Sequence, residues 1–165
     1  MILTLFLILN WVKDNMDIRE LRLEDIDQVC VIEEETFSMP WHKESFIDMV
    51  NNPNAIYLVA SDDSGVIYAC AGALSVVGEG NICNIAVKND YRGQGIGERL
   101  VRELLAKGIK EFDITEFTLE VRVSNSAARA LYEKLGFVCE GIRPGYYEKP
   151  TEDACIYWLR DVSEL

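Results

Sequence analysis

A glycine-rich segment, Arg92-Gly93-Gln94-Gly95-Ile96-Gly97, lies between an apolar β-like run and an amphipathic helix-like run. A helix N-terminus carries unpaired N–H groups and about half a positive charge. Glycine allows the backbone to approach a ligand closely and to adopt a positive φ. The segment therefore predicts an anion cradle, most often for a phosphate group. A tight strand-to-helix turn that holds no ligand is the alternative.

The spacing separates this cradle from two common phosphate loops. A P-loop ends in Gly-Lys-Ser/Thr, and that sequence is absent here. A dinucleotide-binding loop has the pattern Gly-x-Gly-x-x-Gly, which would place Glu98 where its third glycine belongs. A carboxylate is a poor neighbour for a pyrophosphate. The pattern that remains is Arg92-x-x-Gly95-x-Gly97.

A candidate proton acceptor lies in the strictly alternating run 117–123. Alternation predicts a strand with two faces, one formed by Phe117, Leu119, Val121 and Val123 and the other by Thr118, Glu120 and Arg122. On this strand Glu120 can point into a cleft and accept a proton through a water molecule. The alternative is a solvated carboxylate that pairs with Arg122 on the same face.

Apolar periodicity predicts the elements that position these residues. A stripe at helical spacing follows the glycines and comprises Ile96, Leu100, Val101, Leu104, Leu105, Gly108, Ile109 and Phe112. Asn125 is the expected N-cap of a further helix over 126–135, with Gly136 after its end. The predicted order is β-α-α-β-β-β-α-β-α-β-β, which is typical of a mixed α/β sheet with helices on its faces.

Residues 16–165 are expected to form one domain, because neither an internal repeat nor a low-complexity linker interrupts them. Met16 is a second plausible start, and the apolar segment 1–15 is expected to be an N-terminal extension outside the fold. The segment is too short to span a bilayer. A helix packed on the surface or on a second chain is the alternative.

Composition excludes several classes of function. The formal net charge of −12 argues against a direct nucleic-acid binder, because phosphate contacts need a basic surface. It suits a basic partner, or it only keeps the protein soluble. The single histidine, His42, has no neighbours at metal-ligand spacing, so neither a zinc site nor a Ser-His-Asp triad is expected. Five cysteines without a Cys-x-x-Cys motif favour reduced thiols in a cytoplasmic protein.

The motifs resemble those of the GCN5-related N-acetyltransferase (GNAT) family over residues 17–162, nearly the whole chain. The glycine segment is similar to that family's pyrophosphate loop, Gln/Arg-x-x-Gly-x-Gly/Ala. Within the family, the chain resembles the RimI-type ribosomal-protein-alanine N-acetyltransferases. The segments that carry this likeness are MPW ending at Trp41, NIAV at 84–87, LEVRVSNSAARALYEKLGF at 119–137 and GYY followed by EDA at 145–154. His42 departs from that pattern, since a small helix-capping residue is usual there.

The resemblance implies a mostly antiparallel sheet with helices on both faces, and acetyl-CoA as the co-substrate. Backbone groups of β-like residues before the loop would hold pantetheine like an added strand, and one N–H would face the acetyl oxygen. The implied cofactor-binding residues are Ile85, Ala86, Val87, Arg92, Gly93, Gln94, Gly95, Ile96, Gly97, Glu98, Asn125 and Tyr132. Asn125 is already explained as a cap, and Arg92 could equally be a surface charge.

The resemblance also implies that Glu120 is the general base and that Tyr132 donates a proton to the leaving CoA thiolate. A tyrosine packed in the core is the alternative for Tyr132. Aromatic residues of loops, Trp41, Tyr146 and Tyr147, are expected to line the acceptor groove, or to be ordinary loop packing. Glu152 and Asp153 could lie near the acceptor's ammonium group.

The function implied is acetylation of a protein's N-terminal α-amine, with a ribosomal protein as substrate. No metal is expected to take part. One alternative is an N-acetyltransferase of small amines such as a polyamine, an amino acid or an aminoglycoside, because one fold hosts many acceptors. Another is a module that binds acetyl-CoA without catalysis.

Overall fold

Seven strands form one sheet in the computed structural model, which describes residues 16–162. The strands are β1 (Asp17–Glu20), β2 (Ala55–Ser61), β3 (Ile67–Val76), β4 (Glu79–Val87), β5 (Glu116–Arg122), β6 (Val138–Glu148) and β7 (Thr151–Leu159). They lie in the order β1-β2-β3-β4-β5-β7-β6. Every neighbouring pair is antiparallel except β4 and β5, which are parallel. The predicted extension at 1–15 lies outside the described residues.

Four α-helices connect these strands within residues 16–162: α1 (Ile26–Thr36), α2 (Lys43–Asn51), α3 (Ile96–Phe112) and α4 (Ser126–Lys134). The Asn125 side chain caps α4 by accepting a hydrogen bond from the Ala128 N–H at 3.2 Å. His42 precedes α2 without a capping side-chain hydrogen bond. None of these helices is long and apolar enough to cross a membrane.

The core consists of two apolar layers, one on each face of the sheet. Alternation along β2 sends Ile56 and Leu58 into the layer beneath α3, and Tyr57 and Val59 into the layer beneath α1 and α2. The predicted stripe of α3 is buried from Ile96 to Gly108 at its inward positions. The predicted fold class, a mixed sheet flanked by helices on both faces, is confirmed.

The run 117–123 is shifted slightly from its prediction. The strand β5 begins at Glu116 and ends at Arg122, and Phe117, Leu119 and Val121 are buried as expected. Val123 was predicted to share that apolar face. This was wrong, because the strand has ended and the side chain is 36% exposed.

The feature of the sheet that creates a site is the partial pairing of β4 with β5. Their parallel ladder has three pairs and ends at Asn81 and Thr118. Both strands continue, β4 to Val87 and β5 to Arg122, while each keeps its antiparallel partner on the other side. Two parallel strands that stop pairing part-way leave an opening between them, and the backbone edge of β4 beyond Asn81 faces that opening.

Candidate active site

The glycine loop follows β4 and leads into α3. Gly93 and Gly95 have φ angles of +71° and +79°, which L-residues with a side chain rarely adopt. A Cβ built on either glycine would meet no heavy atom within 4 Å. Packing therefore does not require glycine here. The backbone conformation does, and it leaves the loop surface open to a ligand.

Side chains of the loop hold it against the end of β4. The Arg92 guanidinium donates from Nε to the Val87 carbonyl at 2.8 Å, and the Gln94 amide donates to the Asp90 carbonyl at 3.0 Å. Gln94 Oε1 is buried with no hydrogen-bond partner. Gln94 also lines a cavity of about 230 Å³, together with Met16, Gly95, Ile96 and Arg99. An unsatisfied buried oxygen in a residue that lines an open cavity marks this loop for closer attention as a candidate ligand site.

The side chain of Glu98 is engaged within the protein. Its carboxylate pairs with Lys134 at 2.6 Å and with Arg102 at 3.1 Å. The hydrogen bond from Lys134, followed by that from Arg102, lowers the pKa of Glu98. The negative charge that looked unfavourable beside a phosphate is thus neutralised by two cations. The backbone N–H of Glu98 lies in the first turn of α3 and remains available to an anion.

The open edge of β4 offers backbone groups that could hold part of acetyl-CoA. Ile85, Ala86 and Val87 pair with β3 on one side, and the ladder with β5 has already ended on the other. An extended pantetheine chain could bind this edge as a peptide adds to a sheet. The positive-φ glycines and the N-terminus of α3 then follow directly for the pyrophosphate.

A second cavity, of about 470 Å³, adjoins this edge and is termed the acceptor cleft. Its lining is Trp41, Asn81, Ile82, Cys83, Glu120, Arg143, Tyr146 and Tyr147. The structure thus brings Glu120 together with all three aromatic residues predicted to line an acceptor groove. Asn81, Ile82, Cys83 and Arg143 were missed. The β4 residues reach the cleft because of where β4 leaves β5, and Arg143 reaches it from β6, neither of which local sequence reveals.

A bulge in β4 places Cys83 in this cleft. Ile82 pairs with Ala73 and Asn84 pairs with Gly72, so Cys83 is the extra residue. An extra residue bends the strand and re-aims its side chains. Burial, with a smaller contribution from the nearby Glu120 charge, raises the pKa of the Cys83 thiol to about 11. Cys83 is therefore a neutral wall residue of the cleft at neutral pH.

The Glu120 carboxylate accepts an ion-paired contact from Arg143 Nη1 at 3.0 Å. Its side chain is 18% exposed, whereas that of Arg143 is 51% exposed. The alternative considered from the sequence paired Glu120 with Arg122. The structure does not support that pairing, because Arg122 bonds Glu152 at 3.1 Å. The Glu120 side chain therefore lines the cleft and is only partly exposed to solvent.

Arg122 ties the β6–β7 hairpin to the rest of the site. Its guanidinium donates to the carbonyls of Lys149 and Pro150 at 3.1 and 3.0 Å, and lies 4.3 Å from the centroid of the Tyr147 ring. It also reaches Ser38 Oγ at 3.5 Å, in the segment between α1 and α2. Arg122 therefore bridges two walls of the acceptor cleft.

The carboxylates of Glu152 and Asp153 have structural partners. Glu152 accepts a hydrogen bond from the Ser124 N–H at 2.6 Å, and Asp153 accepts one from the Gly145 N–H at 2.8 Å. These bonds shape the loops beside the cleft. They leave Glu120 as the carboxylate that lines the cavity itself.

The ring of Tyr132 is packed in the core, as the alternative for this residue predicted. It is 7% exposed, with ring centroids 5.9 Å from Phe137 and 6.1 Å from Tyr157. Burial raises the pKa of Tyr132 well above its usual value, and the nearby Tyr147 raises it further. The hydroxyl is thus protonated at neutral pH, as a proton donor must be.

A buried carboxyl group behind the cleft was missed from the sequence. Glu33 accepts hydrogen bonds from the Trp41 N–H at 3.2 Å and from Asn84 Nδ2 at 3.0 Å. Asn84 also donates to the Tyr57 hydroxyl at 3.0 Å. Burial raises the pKa of Glu33. The signal was present in the chain, because Glu33 falls at helical spacing with the apolar Ile26 and Val29.

Among the described residues, no group of three or more His, Cys, Asp or Glu side chains could hold a metal ion. The cysteines Cys30, Cys70, Cys83, Cys139 and Cys155 are all free thiols.

Comparison with known proteins identifies the family. The Acetyltransferase (GNAT) family model matches residues 26–137. A Bacillus subtilis protein, provisionally named a [ribosomal protein bS18]-alanine N-acetyltransferase, is 44% identical over 148 residues, which cover 89% of this chain and 97% of that protein. The Escherichia coli K12 [ribosomal protein bS18]-alanine N-acetyltransferase is 36% identical over 137 residues, covering 82% and 88%.

The fold agrees with these sequence matches. The crystal structure of the ribosomal-protein-S18-alanine N-acetyltransferase from Escherichia coli superposes with a TM-score of 0.79 at 33% identity, covering 87% of this chain and 92% of that one. The predicted likeness to ribosomal-protein-alanine N-acetyltransferases is confirmed. Enzymes of this fold use acetyl-CoA as the acetyl donor. The chain belongs to the GNAT acetyltransferase family and is an N-acetyltransferase.

Proposed function

We propose that this enzyme acetylates the N-terminal α-amine of a protein, the N-terminal alanine of a ribosomal protein, by direct transfer from acetyl-CoA. The observation that carries the proposal is the acceptor cleft. It holds one carboxylate, Glu120, among aromatic walls, beside the open edge of β4. The relatives' names, which specify an alanine of ribosomal protein bS18, support this acceptor. The net charge of −12 suits a basic protein substrate.

Glu120 acts as the general base in this proposal. Acetyl-CoA supplies a thioester whose carbonyl carbon an amine can attack. An α-amine has a pKa of about 7.7–8.0, so most of it is protonated at neutral pH and must lose a proton first. Glu120 lies in the cleft and can take that proton directly or through one water.

Tyr132 acts as the general acid. Its hydroxyl holds its proton at neutral pH because the residue is buried. Tyr147 links the two groups electrostatically. Burial is the main cause that raises the pKa of both Tyr147 and Tyr132; the Glu120 charge adds to the shift of Tyr147, and Tyr147 adds to that of Tyr132. Tyr147, which lines the cleft with Glu120, is thus electrostatically close to both proposed groups.

Backbone groups hold the two substrates. The β4 edge at Ile85, Ala86 and Val87, the loop from Arg92 to Gly97, the N–H of Glu98 and the α4 start at Asn125 would bind acetyl-CoA. A β4 N–H would stabilise the charge that develops on the acetyl oxygen. Trp41, Tyr146 and Tyr147 would bind the acceptor's first residues. Their aromatic surfaces give contact area at little entropic cost.

The test is CoA-thiol release from acetyl-CoA with two panels, short peptides with free N-termini and small amines. Turnover with alanine-initiated peptides, and a fall of about 10²-fold or more in Glu120→Gln, is expected. Glu116→Gln is the matched control, since Glu116 lies on the same strand and pairs with Arg160 at 2.8 Å outside the cleft.

Other outcomes would replace the proposal. Turnover with small amines alone would make the enzyme a small-molecule N-acetyltransferase. A protein that acetyl-CoA protects against thermal unfolding, but that acetylates neither panel, would be a binding module. A ligand at a hundred times its dissociation constant should add about 2.7 kcal/mol to the free energy of unfolding, which makes this outcome measurable.

A further inference from the structure

We propose that Glu120 and the Tyr146 ring form a binding site for the acceptor's protonated amine, and that the Arg143 guanidinium occupies this site until the acceptor displaces it. The inference rests on the proposed function in one respect, that the acceptor is an amine that Glu120 deprotonates. It adds a binding mode for that amine and a competing group within the protein.

The geometry around Arg143 is that of a bound organic cation. Arg143 Nη1 lies 3.0 Å from Glu120 Oε1, and the guanidinium carbon lies 5.1 Å from the centroid of the Tyr146 ring. A carboxylate and an aromatic face are the two groups that attract an organic cation most strongly in proteins. Both line the acceptor cleft. A substrate ammonium that pairs with the same carboxylate oxygen and the same ring would take the position that the guanidinium holds.

Arg143 is the member of this ion pair that another cation can replace. Glu120 is fixed on the central strand β5 and its side chain is 18% exposed, whereas that of Arg143 is 51% exposed. The ladder of β6 with β7 is irregular between Arg143 and Tyr147, and Gly145 within that irregularity has a φ of +61°. Ion pairs at the solvent-exposed surface contribute little to stability, and because Arg143 is half exposed another cation can displace it at small cost.

Arg122 provides the contrast that makes this assignment specific. Its side chain is 23% exposed, and its guanidinium bonds two backbone carbonyls as well as Glu152. Displacing it would break the support of the β6–β7 hairpin. Of the two arginines close to Glu120 in the sheet, Arg122 is thus held by the protein and Arg143 is replaceable.

Displacement of Arg143 also brings the ammonium proton next to Glu120, the group that must accept it. The incoming ammonium replaces the guanidinium on Glu120, and the freed Arg143 side chain returns to water. The ammonium N–H bond then breaks as an O–H bond forms on Glu120. The electron pair of that N–H bond remains on nitrogen, so the amine becomes a neutral nucleophile.

Peptide binding in the presence of CoA tests this without turnover. The probes are an alanine-initiated peptide with a free N-terminus and the same peptide N-acetylated, titrated by calorimetry at about pH 6.5, where the α-amine is charged. The apparent affinity for the peptide is the intrinsic affinity multiplied by the fraction of protein in which Arg143 does not occupy the site. Arg143→Gln should therefore bind the free peptide about two- to fivefold more tightly than wild type, and the acetylated peptide equally.

Two variants complete the design. Arg143→Lys keeps a cation over Glu120 and should restore binding close to that of wild type. Arg160→Gln is the matched control, because Arg160 is 50% exposed and pairs with Glu116 and Glu140 away from the cleft. It should leave both peptides' affinities unchanged.

The inference is overturned if Arg143→Gln binds the free peptide no better than wild type, if both peptides respond alike, or if no form binds the free peptide. Failure of the proposed function is a separate result, namely that wild-type enzyme with acetyl-CoA does not acetylate the free peptide. Turnover with an unchanged affinity in Arg143→Gln would refute the exchange and leave the acetyltransferase proposal intact.

Discussion

The buried carboxyl group of Glu33 accepts a hydrogen bond from the Asn84 side chain at 3.0 Å, which joins α1 to β4. The same group accepts the Trp41 N–H at 3.2 Å. Trp41 lines the acceptor cleft, and Asn84 directly precedes Ile85 on the open edge of β4. Glu33 therefore fixes one wall of the acceptor cleft relative to the strand proposed to hold acetyl-CoA.

Glu33 should make the free energy of unfolding depend on pH. Burial raises its pKa above the ordinary 4.5, so the folded state favours the protonated carboxyl. The stability it contributes is fully present below 4.5 and is lost as the pH rises through the raised folded pKa. The free energy of unfolding of wild type minus that of Glu33→Gln should therefore fall with rising pH across this window. Urea unfolding at a series of pH values measures it.

Glu34→Gln is the control for this titration, since Glu34 is the exposed neighbour on the same helix. Its urea unfolding over the same pH series controls for the loss of a carboxylate from this helix. A Glu33→Gln difference that stays flat or rises with pH would show that the hydrogen bonds from Trp41 and Asn84 outweigh burial.

Two glycines of the loop, Gly95 and Gly97, should differ in how well they tolerate replacement by alanine. Gly95→Ala forces a side chain onto a φ of +79° and should lower the free energy of unfolding by about 1–2 kcal/mol. Gly97→Ala is the matched control, because its Cβ would lie 3.6 Å from Val87 Cγ2, an ordinary contact, and alanine favours a helix.

The two variants should also differ with the ligand. Thermal unfolding with and without acetyl-CoA should show weaker protection in Gly95→Ala, because the distorted loop turns its N–H groups away from the phosphates. Gly97→Ala should keep the protection of wild type. Equal protection in both variants would mean that the loop is only a turn.

Local patterns in the chain were sufficient to predict the helices, the strands and the glycine loop. The stripe of α3 could be predicted because each inward position meets the same sheet face, so periodicity alone identifies it. Glu120 could be singled out because it is the carboxylate on the polar face of a strand whose other face is apolar. Val123 was misplaced because alternation does not show where a strand ends.

Relationships between distant segments could not be predicted in this way. Arg143 reaches Glu120 from β6, and no local feature of either strand encodes the pair. The same holds for the end of the β4–β5 ladder, which opens the site. Glu33 was visible as a carboxylate within an apolar helix stripe. Its partners Asn84 and Trp41 were not, because they come from other elements.

Arg122 should control binding of the acceptor more than binding of acetyl-CoA. Arg122→Gln loses the hydrogen bonds to Lys149 and Pro150 and the contact with the Tyr147 ring. Hydrogen bonds from a charged group contribute about 1.5–3 kcal/mol, reduced here by partial exposure. We expect the peptide KM to rise at least about fivefold, with the acetyl-CoA KM close to that of wild type. Steady-state kinetics with each substrate varied in turn measure both.

Arg22→Gln controls for the loss of a surface charge, since Arg22 is 62% exposed and its pair with Glu24 is long at 3.8 Å. It should change neither KM. If Arg122→Gln raised the KM of acetyl-CoA instead, the hairpin would not be the element that Arg122 supports.

Phenylalanine variants of Tyr132 and Tyr157 should separate an effect on kcat from an effect on the free energy of unfolding. Tyr132→Phe keeps the ring against Phe137 and removes only the hydroxyl, so its free energy of unfolding should stay within about 1 kcal/mol of wild type. If that hydroxyl is the acid, kcat should fall about 10²-fold. Tyr157→Phe instead removes the donor to Glu133 at 2.7 Å and the acceptor of Arg129 at 3.2 Å.

Tyr157→Phe should therefore lose about 1 kcal/mol of stability and keep kcat within about twofold. Urea unfolding and single-turnover acetylation of an alanine-initiated peptide measure the two quantities on the same preparations. A full kcat in Tyr132→Phe would exclude its hydroxyl as the required acid, because the leaving thiolate would then take its proton from water. A parallel loss of stability and kcat in both variants would instead mean that the core around these rings, and no single hydroxyl, sets the rate.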